Sequence, residues 1–245
     1  MAIYPCHRQP DVFRHTAAIV AVRPGAVAVS VSHLHPGGGG QVADRGTIDW
    51  GTGPVVVTTV EVDPATGQWW HVFDDADLEP QVGTGDEVEI HVDAAHRHRV
   101  ASLHTVSHVL NALVFDEFAG ALVTGAQING DGTGRMDFDL PQVDNDRIRA
   151  LEAPVNEVIA RGVDVRSVYV DAADADRSGG LVRSMSVAPP PTPDGRLRVI
   201  EIEGVDRQAC GGTHLANTAE SAPIRLTKIE NKGRHNRRVR FTFAE

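Results

Sequence analysis

The sequence predicts an α+β protein, in which a small N-terminal β-barrel is followed by an α+β domain with helices packed on an antiparallel sheet. Two patterns carry this prediction. Short valine-rich runs separated by tight-turn signals fill the chain up to residue 92, and apolar residues at helical spacing appear beyond it. Since 245 residues suffice for two modest domains, we place them at 1–92 and 93–245.

The first domain is predicted to consist of closely spaced strands. The turn signals PG, GTGP, DPATG and GTGD bound its valine-rich runs, and this spacing is typical of a small barrel. The predicted strands are 17–22, 26–34, 55–62, 68–73 and 87–92. The polar and basic segment 93–102 is predicted to be the link into the second domain.

The second domain is predicted to mix helices and strands. One helix begins near residue 103 and ends near Gly120, since glycine is a common residue just after a helix. Another begins after Asp144, ends at Gly162 and is kinked by Pro154. The predicted strands are 121–128, 134–138, 163–170, 180–187 and 197–202, with a strand pair at 224–243.

Four residues have the chemistry and spacing of metal ligands. His104 and His108 lie four residues apart, so on a helix both imidazoles leave the same face. Cys210 and His214 add a thiolate and a third imidazole, and the glycines between them let the backbone turn tightly. This donor set favours zinc over ions that prefer oxygen ligands. Because HTVSH lacks the glutamate of HExxH, a zinc protease is excluded.

A helical wheel divides the residues around the histidine pair between two sides. The apolar side holds Leu103, Val106, Leu110, Leu113 and Val114. The opposite side holds His104, His108, Asn111 and Phe115. We expect the apolar side to face the core and the histidine side to line a cleft.

The composition is that of a globular protein with no membrane partner. It is 41% apolar and 23% charged, and no apolar run approaches the ~20 residues that a membrane helix needs. The start, MAIYPCHRQP, lacks the apolar region of a signal peptide, so we expect a cytoplasmic protein. We expect no disulfide between Cys6 and Cys210, because the cytosol is reducing.

The distribution of charge along the chain indicates which kind of partner the protein binds. A net charge of −10 argues against a general binder of DNA or other polyanions. Residues 225–240, however, contain seven basic residues and one acidic residue. This segment is either a local basic stripe that contacts nucleic acid or an edge strand protected by charge.

HTVSH followed about a hundred residues later by CGGTH resembles the editing domain shared by alanyl-tRNA synthetase and the free-standing AlaX proteins. Five further features of the sequence resemble that family and extend the likeness over almost the whole chain. They are GGGGQVADRG at 37–46, Asp93 placed eleven residues before His104, TGAQI with RMDF within 124–138, VNEVI at 155–159, and KIENKGRHNRRVRF at 228–241.

The resemblance implies that the HxxxH and CxxxH motifs hold Zn2+ through His104, His108, Cys210 and His214. It also implies an aminoacyl-tRNA hydrolase that cleaves the ester of mischarged Ser-tRNA(Ala), Gly-tRNA(Ala) or both. We expect the protein to act in trans, because the chain leaves no room for an aminoacylation domain. Zinc can polarise the carbonyl, activate water or hold the substrate's amino group, and the sequence does not choose among these roles.

The resemblance also suggests residues that act on the substrate. Candidates for catalysis and selectivity are Ser107, Gln127 and Asp93. Candidates for substrate binding are Gly39, Gly40, Gln41, Asp44, Gly211, Gly212 and Thr213, and those for tRNA binding are Lys228, Lys232, Arg234, Arg237 and Arg238. Two structural alternatives stay open: Ser107 bonds its own helix backbone, and the glycine-rich segment is a flexible hairpin loop.

Two other functions remain as alternatives. The first is a non-catalytic, zinc-stabilised tRNA-binding adaptor, since four protein ligands fill a tetrahedral zinc and catalytic zinc normally keeps an open position. The second is editing of a different tRNA, because threonyl-tRNA synthetases carry a related fold. The preference between serine and glycine, the recognition of tRNA(Ala) and the oligomeric state are left open by the sequence.

Overall fold

The computed structural model of the chain describes residues 4–141, 144–172, 181, 183–185, 192 and 194–244. The described residues form two compact units. The barrel unit comprises 4–38 and 42–98, and the sheet unit comprises 39–41 and 99–244. Gly39, Gly40 and Gln41, from the glycine-rich segment, therefore belong to the sheet unit.

The barrel unit contains a closed barrel of six antiparallel strands, which confirms the predicted architecture. A short helix, α1 (Pro5–Arg8), precedes it. The strands are β1 (Arg14–Arg23), β2 (Ala26–Val29), β3 (Gly46–Asp49), β4 (Pro54–Val62), β5 (Trp69–Phe73) and β6 (Glu87–Val92). Their order around the barrel is β1-β2-β5-β4-β3-β6.

Alternating side chains fill the barrel interior. In β6, Val88, Ile90 and Val92 are buried while the residues between them are half-buried, as expected for a strand with one face on a core. Buried residues from the other strands, among them Ile19, Val27 and Val60, complete this core. Closure of the barrel leaves no unpaired strand edge, so this short-stranded sheet is stable without a covering layer.

Helix α2 (Ala94–Glu117) begins nine residues earlier than we predicted. The segment 93–102 is not a link, and its polar, basic composition concealed the helix start. Asp93 caps that start, because its Oδ1 accepts a hydrogen bond from the backbone N–H of His96 at 2.9 Å.

Both sides of α2 are buried from Val100 to Ala112. The predicted apolar side is in the core, but the histidine side is covered as well, because residues from 206 to 215 contact it. Within the described part of the chain, no helix has both the length and the apolar character that a membrane span requires.

The sheet unit contains two antiparallel sheets. The strands are β7 (Val123–Ile128), β8 (Thr133–Asp139), β9 (Val165–Asp171), β10 (Arg196–Ile202), β11 (Asp206–Ala209), β12 (Ile224–Lys232) and β13 (Asn236–Phe243). They form a four-stranded sheet of order β12-β13-β8-β7 and a three-stranded sheet of order β11-β10-β9. Half of the predicted strand at 180–187, residues 180, 182, 186 and 187, falls outside the described residues.

Two helices replace the single kinked helix that we predicted. They are α3 (Asn145–Arg149) and α4 (Glu152–Arg161), and both contact β12. Pro154 causes no kink, because it is the third residue of α4, where the helix has no intrahelical partner for a backbone N–H. The predicted ends are correct: Asp144 caps α3, and Gly162 ends α4 in the left-handed conformation, with a φ of 66°.

Candidate metal centre

The four predicted metal ligands meet in the sheet unit. His104 and His108 come from consecutive turns of α2, and Cys210 and His214 come from the loop that follows β11. One nitrogen or sulfur atom of each residue lies within 4.8 Å of the others. These four side chains, which we call the metal cluster, could therefore hold one metal ion.

The spacing of the ligand atoms suits tetrahedral coordination. Nε2 of His104 lies 3.4 Å from the Sγ of Cys210, and Nε2 of His214 lies 3.3 Å from the same sulfur. With metal–nitrogen bonds of about 2.1 Å and metal–sulfur bonds of about 2.3 Å, a tetrahedral ion separates such atoms by about 3.6 Å. The residues present therefore fit a metal ion of this size.

Hydrogen bonds orient all three imidazole rings from behind. Nδ1 of His104 lies 2.8 Å from Gln41 Oε1, and Nδ1 of His108 lies 3.0 Å from Asp206 Oδ2. Nδ1 of His214 lies 3.2 Å from Thr105 Oγ1. An amide oxygen and a carboxylate can only accept, so both rings direct an Nδ1–H at these acceptors and turn Nε2 towards the other ligand atoms.

Gln41 is held so firmly that its orientation is unambiguous. Its Oε1 accepts from the backbone N–H of Thr213 at 2.9 Å, and its Nε2 donates to Thr213 Oγ1 at 2.9 Å. The glycine-rich segment reaches this position by pairing Gln41 with Ile128 of β7. Gly40 is required there, because its φ is 90° and a Cβ would lie 2.9 Å from the carbonyl oxygen of Ala126.

The loop that carries Cys210 and His214 is fixed by a buried arginine. Nη1 of Arg198 on β10 donates to the carbonyl oxygens of Cys210 and Gly212 at 2.8 and 2.9 Å. The backbone N–H of Cys210 also donates to the carbonyl oxygen of Arg198. The carbonyl oxygen and the backbone N–H of Cys210 are therefore both hydrogen-bonded to Arg198 of the sheet, and these bonds set the direction of the Sγ atom.

The electrostatics of the metal cluster favour ligand-competent protonation states at Cys210 and His214 but not at His108. Burial raises the pKa of the Cys210 thiol, but the three neighbouring imidazoles outweigh burial and hold it well below its usual value. Burial and the charge of His104 lower the pKa of His214. Burial lowers the pKa of His108, but the Cys210 thiolate and Asp206 raise it to about 10. Metal binding must therefore release a proton from His108.

The three residues predicted to act in catalysis or selectivity lie in different places. Ser107 is buried, and its Oγ donates to the backbone carbonyl of His104 at 2.7 Å. Gln127 is exposed on β7 and hydrogen-bonds to Asn129 and Arg135. Asp93 caps α2 in the barrel unit. The structure accounts for each of them without a substrate, and their functional roles stay predictions.

The residues predicted to bind substrate divide into two groups. Gln41, Gly212 and Thr213 lie at the metal cluster, and Gly40 precedes Gln41 and packs against Ala126. Gly39 and Gly211 adjoin them in the chain, and a Cβ on Gly39 would meet open space. Asp44 instead lies in the barrel unit, 1% exposed and paired with Arg97.

Few of the residues that support the metal cluster were predicted. Thr105, Arg198 and Asp206 contact its members or its loop, and sequence reasoning singled out none of them. Thr105 lies beside a predicted ligand, which was the one available signal. Arg198 and Asp206 lie on strands, and a lone charged residue on a strand is normally a solvent-exposed one.

The predicted tRNA-binding residues lie on the hairpin of β12 and β13. Lys232 and Arg234 are exposed at its turn. Lys228 pairs with Glu230, Arg238 pairs through two nitrogens with Asp137, and Arg237 is buried. Among the described residues, the exposed cations of this segment that form no salt bridge are Lys232 and Arg234 at the turn and Arg225 at the start of β12.

Comparison with known proteins places this arrangement in a family. The model of the "Threonyl and Alanyl tRNA synthetase second additional domain" matches residues 197–240, which contain β10 to β13 and the CGGTH loop. The chain is 32% identical over 213 residues to "Alanyl-tRNA editing protein AlaX-M" of Methanosarcina barkeri, with 86% of each chain covered. The protein of the same name from Methanosarcina acetivorans is 33% identical over 222 residues, with 89% of each covered.

A much longer protein is similar to this chain over most of this chain's length. The chain is 32% identical over 203 residues to "Alanine--tRNA ligase" of Streptococcus thermophilus, with 82% of this chain and 22% of the ligase covered. The motifs of the metal cluster, the matched domain model and the near full-length likeness to the AlaX-M proteins agree. The chain therefore belongs to the AlaX family of alanyl-tRNA editing proteins.

Proposed function

We propose that this protein is a zinc-dependent aminoacyl-tRNA hydrolase that removes serine, glycine or both from mischarged tRNA(Ala). The observation that carries the proposal is the metal cluster, with its ligand atoms within 4.8 Å and each imidazole oriented from behind. Two of these outer partners, Gln41 and Asp206, lie far from their histidines in sequence. The proposed compartment is the cytoplasm, where charged tRNA is used.

Zinc is the proposed ion because the metal cluster combines one thiolate with three imidazoles. When bound, zinc can polarise the ester carbonyl, activate water or hold the amino group of the substrate. The chain's own part is to orient the ligands and to keep the surroundings dry. An aminoacyl ester is already activated, so positioning and oxyanion stabilisation suffice for rapid hydrolysis.

Candidate contacts to the substrate lie around the CGGTH loop. Gly211 is half-exposed and His214 is partly exposed, whereas His104, His108 and Cys210 are buried. We therefore propose that the ester approaches on the side of Gly211 and His214. Thr213 and Gln41 bind each other beside the loop, which suits them to shape the site rather than to react.

Deacylation of defined substrates tests the proposal. We expect the zinc-loaded protein to hydrolyse Ser-tRNA(Ala) or Gly-tRNA(Ala) and to spare Ala-tRNA(Ala). His108→Ala should lose both turnover and zinc, because it removes one ligand and one of the hydrogen bonds to the buried carboxylate of Asp206. His98→Ala, which changes an exposed histidine on the same helix, is the matched control and should keep both.

The alternatives predict other results in the same assay. A protein that binds zinc and tRNA without turnover of any ester would be an adaptor. Turnover of Ser-tRNA(Thr) in preference to Ser-tRNA(Ala) would indicate editing of a different tRNA. Either result would contradict the proposed function.

The turn of the β12–β13 hairpin is the proposed tRNA contact. Lys232 and Arg234 are exposed there, so they can reach phosphates without breaking an ion pair with a described residue. We expect the double variant Lys232→Ala, Arg234→Ala to weaken tRNA binding and to reduce the slope of log Kd against log salt by about 1 to 2. Filter binding over a salt series measures this slope.

Arg161→Ala is the control for the hairpin variants. Arg161 is exposed in the last turn of α4, so the control removes a surface cation outside the hairpin. It should leave the salt dependence unchanged. An equal loss in both proteins would mean that net charge, and not the hairpin, governs tRNA binding.

A further inference from the structure

Asn111 is a buried polar residue beside the metal cluster that has no assigned role. It follows His108 by three residues and His104 by seven on α2, so all three side chains leave the same side of the helix. Asn111 is 4% exposed. Its Oδ1 has no hydrogen-bond partner among the described residues.

The orientation of the Asn111 amide follows from Asp206. The carboxylate of Asp206 can only accept hydrogen bonds, so the group that Gln208 directs at it, 2.7 Å away, must be the amide nitrogen. Gln208 Oε1 therefore faces Asn111 and accepts from its Nδ2 at 2.8 Å. A flip of either amide would bring two like groups together, so Oδ1 of Asn111 is the atom left over.

A buried acceptor without a partner is rare in folded proteins, because it has lost its water without gaining a hydrogen bond. Asn111 Oδ1 therefore has a place for a donor that comes from a ligand or from water. Asn111 lies one helical turn from His108, on the side of α2 that carries two of the metal ligands, and it is joined through Gln208 and Asp206 to His108.

We propose that Asn111 Oδ1 accepts a hydrogen bond from the side-chain hydroxyl of serine on mischarged tRNA; this inference rests on the proposed hydrolase function. An amide oxygen is a neutral acceptor and suits a neutral hydroxyl. The α-ammonium group of the substrate calls for a carboxylate when it is buried. The carboxylate within this network, Asp206, already accepts from His108, Gln208 and Arg183.

This contact distinguishes serine from alanine. The seryl hydroxyl supplies a donor to Asn111 Oδ1, whereas the methyl group of alanine supplies none. Glycine makes no contact of this kind, so its hydrolysis does not depend on Asn111. Asn111 is thus a specificity-determining residue, and not a catalytic one.

Asn111→Leu tests the contact, because leucine keeps the size of the side chain and removes the acceptor. We expect kcat/KM for Ser-tRNA(Ala) to fall about tenfold. The ratio of the seryl to the glycyl value should fall by the same factor, because loss of the Nδ2 bond to Gln208 acts on both esters alike. Asn145→Leu is the matched control. The Oδ1 of Asn145 is also buried without a partner among the described residues. Asn145 lies on α3, which contacts β12 and carries none of the four metal ligands.

A second measurement keeps the test valid if Asn111→Leu fails to fold. Cysteine has the shape of serine but a weak donor, so the wild-type protein should hydrolyse Cys-tRNA(Ala) about tenfold more slowly than Ser-tRNA(Ala). Equal rates for the two esters would overturn the inference. Equal losses for the seryl and glycyl esters in Asn111→Leu, or an unchanged seryl rate, would also overturn it.

Failure of the inference and failure of the proposed function are distinguishable in these assays. If the wild-type protein hydrolyses the esters and Asn111→Leu keeps the ratio of seryl to glycyl turnover, only the role of Asn111 is wrong. If the wild-type protein hydrolyses neither ester, the proposed function is wrong and the inference falls with it.

Discussion

Gly212→Ala is expected to abolish metal binding, and hydrolysis with it, while the fold is retained. A Cβ on Gly212 would lie 2.6 Å from Gln41 Oε1 and closer still to the ring of His104. His104 cannot move aside freely, because Gln41 holds its Nδ1 and the metal would hold its Nε2. The methyl group therefore displaces a ligand, and we expect zinc affinity to fall at least 10–100-fold, the usual effect of losing an outer partner.

Metal content after dialysis against a chelator, together with deacylation of Ser-tRNA(Ala), measures this effect. Gly83→Ala is the control, because a Cβ there would meet only Asp86, 3.8 Å away, and its φ is not positive. The control should keep its zinc and its activity. Retention of zinc by Gly212→Ala would show that the loop of Cys210 and His214 is not held as we describe.

Asp44→Ala is expected to destabilise the barrel unit by about 3–5 kcal/mol, because it leaves the Arg97 guanidinium buried without a counter-charge. The guanidinium bonds both oxygens of Asp44 and also donates to the carbonyl oxygen of His33 at 2.7 Å. Asp44 in turn accepts from the backbone N–H of His35. One carboxylate thus satisfies a buried cation and fixes a loop.

Urea unfolding followed by circular dichroism measures the loss of stability. The control is Glu61→Ala, which breaks the exposed Arg23–Glu61 pair in the same unit and should cost at most about 1 kcal/mol. Asp44 was predicted to bind substrate, and the same variant tests that prediction. Normal stability combined with lost deacylation would favour substrate binding over the structural role.

Much of the barrel could be predicted because its signals are local. β4 is a valine-rich run and β6 alternates apolar and polar residues, both between turn residues, and the predicted strands 55–62 and 87–92 match Pro54–Val62 and Glu87–Val92 closely. β3 and β11 were not predicted. Each has four residues, and the polar sequence of β11, DRQA, becomes a strand because β10 pairs with it.

At the start of α2, a helix was wrongly predicted to be a link. The sequence AAHRHR lacks an apolar stripe of its own, so the pattern predicted a link. Alanine and arginine have high helix propensity, Asp93 supplies the cap, and the apolar residues that follow continue the helix. The polar composition of residues 93–102 therefore led to a wrong prediction, although the Asp93 cap and the helix propensity of the segment both favour a helix.

By itself the sequence determined which four residues form the metal cluster. The spacing of His104 and His108 acts through helix geometry, and Cys210 and His214 flank two glycines in one short loop. Both motifs are local, and the resemblance to the AlaX family joined them. The same motifs supported the family assignment that the comparisons then confirmed.

Only the tertiary structure decided what holds the metal cluster in place. Gln41 bonds His104 across 63 residues of sequence, Asp206 bonds His108 across 98, and Gln208 accepts from Nδ2 of Asn111, whose Oδ1 has no partner among the described residues. No local rule pairs such residues, because strand pairing and side-chain packing bring them together. The sequence therefore names the metal ligands, and the packing determines how they are oriented.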